Sequence, residues 1–169
     1  MNLILLILLI QSFTMHPIWY SLDINLDTLH ELSKDTMSEY LGIIFTEIGP
    51  DYLKAMMPVN EKTRQPYGLL HGGASATLAE TLGSVAAALV VDPRQKACVG
   101  MEINLNHIRP VREGRVHGIA RPLHIGKTTQ VWDIRISDDK NKLVSVSRLT
   151  VAVIDRSQVM KSPDASMLP

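Results

Sequence analysis

The sequence is poor in several residue types, and each shortage excludes a class of protein. It has one cysteine, Cys98, in 169 residues, so it contains no internal disulfide framework and suits a reducing compartment. Lysine and arginine together number 17, as do aspartate and glutamate, and the formal net charge is zero. Such a balance gives no bulk attraction to nucleic acid or to acidic surfaces. We therefore expect a cytoplasmic protein with no nucleic-acid partner.

Several motifs of catalysis and cofactor binding are also missing. The sequence has no G-x-S-x-G nucleophile elbow, no P-loop and no dinucleotide-binding G-x-G-x-x-G. His107 and His124 lack the spacing of metal ligands, so neither a metal nor a separate cofactor is expected. Ser75 has no histidine at a recognisable spacing, which argues against a catalytic serine. Cys98 has no neighbouring motif, and we expect a small buried side chain.

The two ends of the chain differ from its middle. Residues 1–10 are almost entirely apolar but fall short of the ~20 residues that span a bilayer. No basic residue precedes this run and no small-residue cleavage site soon follows it, which is atypical of a signal peptide. Residues 1–15 could pack on a neighbouring chain, touch a membrane or precede a native start at Met15; no stable membrane partner is expected. Residues 156–169 form a polar tail, which leaves 16–155 as one predicted domain.

Hydrophobic periodicity predicts one long helix and several strands. Leu78, Leu82, Val85 and Leu89 recur at helical spacing. The predicted elements are a first helix over 25–41 capped by Asn25 or Asp27 and ended by Gly42, a hairpin over 43–47 and 52–59, the central helix over 74–91, and strands over 97–108, 114–122, 128–137 and 143–154. Short connections make the sheet antiparallel, and one helix on one such sheet is an α+β arrangement.

The other face of the central helix is small and polar, with one carboxylate, Glu80. No lysine or arginine lies three or four residues from Glu80 to pair with it. A solvated position is the ordinary interpretation of a helical glutamate. The alanine-rich flanks instead indicate a buried helix, on which a carboxylate needs a reason such as catalysis. The residues alone leave these two interpretations about even.

The segments around Glu80 resemble the hotdog-fold acyl-CoA thioesterases related to 4-hydroxybenzoyl-CoA and phenylacetate-pathway enzymes. The matching segments are 65–75, 78–80, 83–86, 100–104, 106–107, 112–116, 122–124, 130–132 and 147–150. The resemblance implies an antiparallel sheet wrapped around one long central helix, and a homotetramer built as a dimer of dimers. It also implies hydrolysis of acyl-CoA, the acyl group being aromatic, of the hydroxybenzoyl or dihydroxynaphthoyl type. Coenzyme A would then be part of the substrate.

The resemblance also implies the catalytic residues. Thioester hydrolysis needs a polarised carbonyl and a nucleophile or general base. Exposed amides at a helix N-terminus can polarise the carbonyl, and the resemblance assigns this role to the backbone N–H of Gly72. It assigns a side-chain donor to Gln65, with His71 beside it, the catalytic carboxylate to Glu80 and a positioning role to Ser84. Whether Glu80 attacks the carbonyl or activates a water stays open.

The spacing of these residues predicts a site shared between two subunits. Glu80 follows Gly72 by eight residues, or about 12 Å along a helix, whereas catalytic groups must converge within about 3 Å of the reacting atoms. We expect Gly72 and Gln65 from one subunit and Glu80 and Ser84 from the other.

Basic residues between His107 and Lys127 suggest where coenzyme A binds. Solvated strands with charged loops would give the same composition, but a positive rim would also attract a polyanion. By resemblance, the contacting positions are Gly100, His107, Ile108, Arg109, Pro110, His124, Ile125, Gly126, Lys127, Thr128 and Thr129. We further expect Tyr67, Met101 and the first helix to line the acyl pocket.

Two other functions stay open at this stage. One is a medium-chain acyl-CoA thioesterase, and the other is a non-catalytic hotdog module that binds acyl-CoA. Glu80 favours an enzyme over a binding module, because a binding module has no need of a carboxylate beside the thioester.

Overall fold

A computed structural model describes residues 16–159, in which one sheet packs against one long helix. The apolar N-terminal extension and residues 160–169 of the predicted tail lie outside the described residues. The elements in chain order are α1 Leu26–Leu32, α2 Met37–Tyr40, β1 Ile44–Ile48, β2 Leu53–Pro58, α3 Gly72–Val90, β3 Lys96–His107, β4 Arg115–Ile125, β5 Thr129–Asp138, β6 Leu143–Asp155 and α4 Arg156–Val159.

The sheet has six strands in the order β1-β2-β4-β5-β6-β3, and every pair is antiparallel. The β5–β6 hairpin turns through Asn141, whose φ of 58° is a left-handed conformation that asparagine tolerates. β3 pairs only with β6 among the described strands, so it forms one edge of the sheet. The predicted α+β class, with an antiparallel sheet around a central helix as in a hotdog fold, is confirmed.

Helix α3 supplies the centre of the core. Leu78 and Leu82 are fully buried, as the periodicity predicts. Gly83 allows the helix to approach the sheet, because a Cβ atom there would lie 2.6 Å from Cδ2 of Leu149 on β6. α3 is long and apolar enough to cross a bilayer by length and composition, but its buried face packs on the sheet.

The direction of α3 relative to the sheet follows from contacts at its two ends. Near its C-terminus, the Ala87 carbonyl accepts from Nε2 of Gln130 at 3.4 Å and from Sγ of Cys98 at 3.3 Å. Near its N-terminus, Gly72 lies against the ring of His107. α3 therefore runs parallel to β6, with its first turns over the end of the sheet where β3 finishes.

The predicted first helix is wrong as a single element. Asn25 caps α1 as expected, since its side chain accepts from the Thr28 N–H at 3.0 Å. The helix then stops, because Ser33 and Thr36 bond locally to the carbonyls of Leu29 and Ser33 and Asp35 adopts a φ of 57°. Such side-chain bonds compete with helix propagation, and α2 begins only at Met37.

Candidate functional site

A pocket of about 320 Å³ opens at the N-terminus of α3. The residues lining it are Gln65, Leu69, Leu70, Gly72, Ser75, His107, Ile108, Arg109, Pro110, Val111 and Val144. Most of this lining is apolar, and the polar groups come from few positions. Such a pocket suits a ligand with an apolar body and a small number of fixed polar contacts.

Backbone hydrogen bonds hold the loop before α3 in place. The Leu70 N–H donates to the Val111 carbonyl at 2.7 Å, and the His71 N–H donates to the Thr63 carbonyl at 2.8 Å. Thr63 is itself buried, and its hydroxyl donates to the Pro58 carbonyl at 2.8 Å. The start of α3 is thus fixed to β2 and to the segment after β3.

His71 is the N-cap of α3. Its Nδ1 accepts a hydrogen bond from the Gly73 N–H at 2.8 Å. Its carbonyl accepts from the N–H groups of Ala74 and Ser75 at 3.0 and 3.2 Å. Within residues 16–159, the N–H of Gly72 has no acceptor. Gly72 therefore presents a free amide donor at the positive end of the helix, inside the pocket.

The close approach of His107 favours glycine at position 72. The ring of His107 lies against it, and a Cβ atom at Gly72 would be 2.6 Å from Nε2 of His107. A larger residue would displace the imidazole, which is itself part of the pocket wall. The structure thereby brings Gln65, Gly72 and His107 together, with His71 behind them as the cap.

Glu80 and Ser84 do not line this pocket. Of the two interpretations that the residues left open, one chain shows the solvated one, since Glu80 is exposed. Its Oε1 lies against β3, where a Cβ atom at Gly100 would be only 3.0 Å away. Ser84 is half-buried one turn further along α3. The helix is continuous from Gly72 to Val90, so Glu80 remains about 12 Å from Gly72 along its axis.

The predicted coenzyme A positions fall into groups at different places. His107, Ile108, Arg109 and Pro110 line the pocket, and Gly100 lies beside Glu80. The other six, 124–129, form the end of β4, the β4–β5 turn and the start of β5.

These two groups lie at opposite ends of the sheet in one chain. His107 is paired with Ser145, whereas Thr129 is paired with Ala152. The stretch of β6 between Ser145 and Ala152 spans roughly 20 Å at about 3.3 Å per residue. A single chain therefore does not bring both groups to one ligand.

The basic residues are also more dispersed than their sequence suggests. Arg121 pairs with Asp51 at 2.8 Å and stacks on Tyr52, and His117 bonds to Asp139 at 2.8 Å. Hydrogen bonds from His117 and the Arg115 N–H lower the pKa of the Asp139 carboxyl. Arg109 remains at the pocket, where its guanidinium donates to the Leu143 carbonyl at 3.0 Å.

Some lining residues were not predicted from the sequence, and two predicted ones lie elsewhere in one chain. Tyr67 and Met101 are 83% and 64% exposed and do not line this pocket, so their contact with the acyl group in a site shared by two chains stays a prediction. Ser75 was missed, although its position three residues after Gly72 places it on the same face of α3. The sequence also does not single out four apolar lining residues, which are Leu69, Leu70, Val111 and Val144.

Comparisons with known proteins find relatives of this chain. The family model of the thioesterase superfamily matches residues 67–145. The chain is 51% identical over 131 residues to the 1,4-dihydroxy-2-naphthoyl-CoA hydrolase of Escherichia coli, covering 78% of this chain and 96% of that protein. It is 48% identical to the proofreading thioesterase EntH of Cronobacter sakazakii, over 76% of this chain and 93% of that one. A mutant thioesterase from Pseudomonas aeruginosa has a solved structure with a TM-score of 0.80 and 47% identity, covering 82% and 99% of the two chains.

Proposed function

The chain belongs to the thioesterase superfamily and hydrolyses acyl-CoA thioesters, and from this premise we propose that its substrates are aromatic acyl-CoA thioesters cleaved with Glu80 as the catalytic carboxylate. The observation that carries the proposal is the free Gly72 N–H at the pocket, because it is a preorganised donor for the oxyanion that forms as a thioester carbonyl is attacked.

The aromatic acyl group is supported by the relatives and by the pocket. The relative at 51% identity is a hydrolase of 1,4-dihydroxy-2-naphthoyl-CoA, and the pocket walls here are mainly aliphatic. Binding of a flat aromatic group is favourable when such walls remove it from water. The acyl group therefore belongs to the same chemical class as that relative's substrate.

The residues divide the chemistry between them. The Gly72 N–H and the Gln65 side chain polarise the carbonyl, and His71 fixes the helix start that presents Gly72. Glu80 either attacks the carbonyl carbon or takes a proton from a water that does so, with Ser84 positioning it. Coenzyme A leaves as the thiol or thiolate, the positive side chains of Arg109 and Lys127 attract its phosphates, and the His107 ring offers a hydrogen bond.

The active site is proposed to lie between two copies of the chain. A second copy pairing antiparallel along the edge of β3 would place its Lys96 end beside the His107 end of the first. In such a dimer, the partner's Glu80 and the partner's turn at 124–129 would lie near the pocket of the first chain. The first chain's own Glu80 and turn lie away from that pocket. The assembly is proposed to be a homotetramer, a dimer of such dimers, in the cytoplasm.

The test is free-thiol release from a panel of aryl- and alkyl-CoA thioesters by the wild type and Glu80→Ala. We expect the aryl-CoA substrates to have the highest kcat/KM and the mutant to lose at least about 10²-fold in kcat. A preference for medium-chain alkyl-CoA would overturn the aromatic assignment. Equal activity of the two proteins would overturn the role of Glu80.

A further inference from the structure

Ser75 lies on the pocket side of α3, three residues after Gly72. Its side chain is 1% exposed, and it lines the pocket. Residues three apart are neighbours on a helix surface, and Cα–Cβ bonds tilt toward the helix N-terminus. The Ser75 hydroxyl is therefore directed toward the turn that carries the free N–H of Gly72.

The Ser75 hydroxyl has no partner within residues 16–159. A helical serine or threonine commonly donates to the carbonyl four residues earlier, and Thr77 does so, to the Gly73 carbonyl at 2.9 Å. Ser75 makes no such bond, although the His71 carbonyl occupies the equivalent place and accepts from the Ser75 N–H. A hydroxyl that lines a pocket and has no partner in the protein is free to pair with a ligand in that pocket.

The strand beneath Ser75 does not supply that partner. α3 runs parallel to β6, and His107, which touches Gly72, is paired with Ser145. The first turns of α3 thus lie over the Ser145 end of β6. Ser145 and Ser147 are buried there, and in the part of the chain that the structure describes their hydroxyls have no partner. Neither of them accepts the Ser75 proton.

We propose that the Ser75 hydroxyl is a third hydrogen-bond donor to the carbonyl oxygen of the thioester, beside the backbone N–H of Gly72 and the side chain of Gln65. This inference rests on the proposed function. Negative charge accumulates on that oxygen as the carbonyl carbon becomes tetrahedral. When the C–S bond breaks, the oxygen lone pair re-forms the C=O double bond and the electron pair of the C–S bond leaves on the sulfur of coenzyme A. Ser75 keeps its proton throughout, so it is a catalytic donor and not a nucleophile.

The test compares Ser75→Ala with Ser75→Thr, which restores a hydroxyl, on an aryl-CoA thioester. We expect Ser75→Ala to lower kcat by about 10²-fold, the loss typical of one oxyanion donor, with KM changed by less than about twofold. Ser75→Thr should recover part of the lost kcat. Ser145→Ala is the matched control, since it removes a buried hydroxyl on the strand beneath α3 that does not line the pocket, and its kcat should equal that of the wild type.

A second readout separates a donor from a packing role. In the Glu80→Gln background, where the thioester is expected to survive, the carbonyl stretch of the bound substrate is measured by difference infrared spectroscopy. Adding Ser75→Ala should raise the stretching frequency, because one polarising hydrogen bond is lost. An unchanged frequency together with an unchanged kcat for Ser75→Ala would overturn the inference.

The same series distinguishes this inference from the proposed function. If Glu80→Ala loses activity while Ser75→Ala keeps it, only the role of Ser75 fails. If Glu80→Ala is fully active, the assignment of the catalytic carboxylate fails, whatever the result for Ser75.

Discussion

His71 acts on the site through the helix cap. Its Nδ1 accepts from the Gly73 N–H at 2.8 Å, and its backbone is bonded to Thr63 and to the first turn of α3. The side chain thereby sets where the neighbouring Gly72 amide points. His71 is in this respect a positioning residue, whereas sequence reasoning placed it among the catalytic residues without separating the two roles.

His71→Ala and His71→Asn test this cap at the residue scale. Alanine removes the acceptor, and we expect a loss of about 1 kcal/mol in the free energy of unfolding and roughly tenfold in kcat, because catalysis is sensitive to small displacements of a donor. Asparagine is a good N-cap and should recover most of both. Urea denaturation and thiol release measure the two quantities. An asparagine variant that is stable but as inactive as the alanine variant would instead place the imidazole in contact with the substrate.

Cys98 gives a prediction about reactivity. Burial beside α3 raises the pKa of its thiol to about 11, above the ~8.5 of a free cysteine. The thiolate is the reactive form, so iodoacetamide at pH 8 should label the folded protein much more slowly than the urea-unfolded protein. The labelling rate of the folded protein should keep rising as the pH approaches 11. Equal rates for folded and unfolded protein at pH 8 would contradict the half-buried position of Cys98 against α3.

Some site residues are readable from sequence and others depend on packing. Gly72 was predictable, because two glycines before an apolar helix mark a close backbone approach. Ser75 was not, since a serine within an apolar helix shows neither its burial nor the absence of a partner. The sequence left the exposure of Glu80 undecided, because it does not show that the flanking alanines bury a different face of α3.

At the scale of elements, the contact between α3 and the sheet determines stability. Leu82 is fully buried on α3, and Leu82→Ala should lower the free energy of unfolding by about 2–5 kcal/mol. Leu22 is 79% exposed and offers a matched control, for which Leu22→Ala should change stability by less than about 0.5 kcal/mol. Urea titrations followed by Trp fluorescence compare the two. A similar loss in the free energy of unfolding for both variants would mean that packing of α3 on the sheet does not determine stability.

The strands were predicted within a few residues, and the first helix was not. Alternation of buried and more exposed residues marks strands such as β2 and β5, because one face meets α3 and the other does not. In the segment 25–41, apolar spacing continued across a break that depends on side-chain hydrogen bonds of Ser33 and Thr36. The spacing of apolar residues does not show where side-chain hydrogen bonds compete with the helix.

At the scale of the molecule, the predicted site residues lie at three separate places in one chain. The pocket lies at the start of α3, Glu80 lies about two turns further on, and the turn at 124–129 lies at the far end of the sheet. The rise of a helix was enough to predict the first separation from sequence. The second required the strand register, which the sequence does not display.

Subunit complementation tests the shared site most directly. Glu80→Gln and Gln65→Ala proteins are each purified, shown to be inactive, then mixed in equal amounts, unfolded and refolded together. If Gln65 and Glu80 of one site come from different chains, a mixed dimer has one intact site and one doubly substituted site. Random mixing should then restore about a quarter of wild-type thiol release. If both residues served a site within one chain, the mixture would stay as inactive as its two components, and that result would contradict the account.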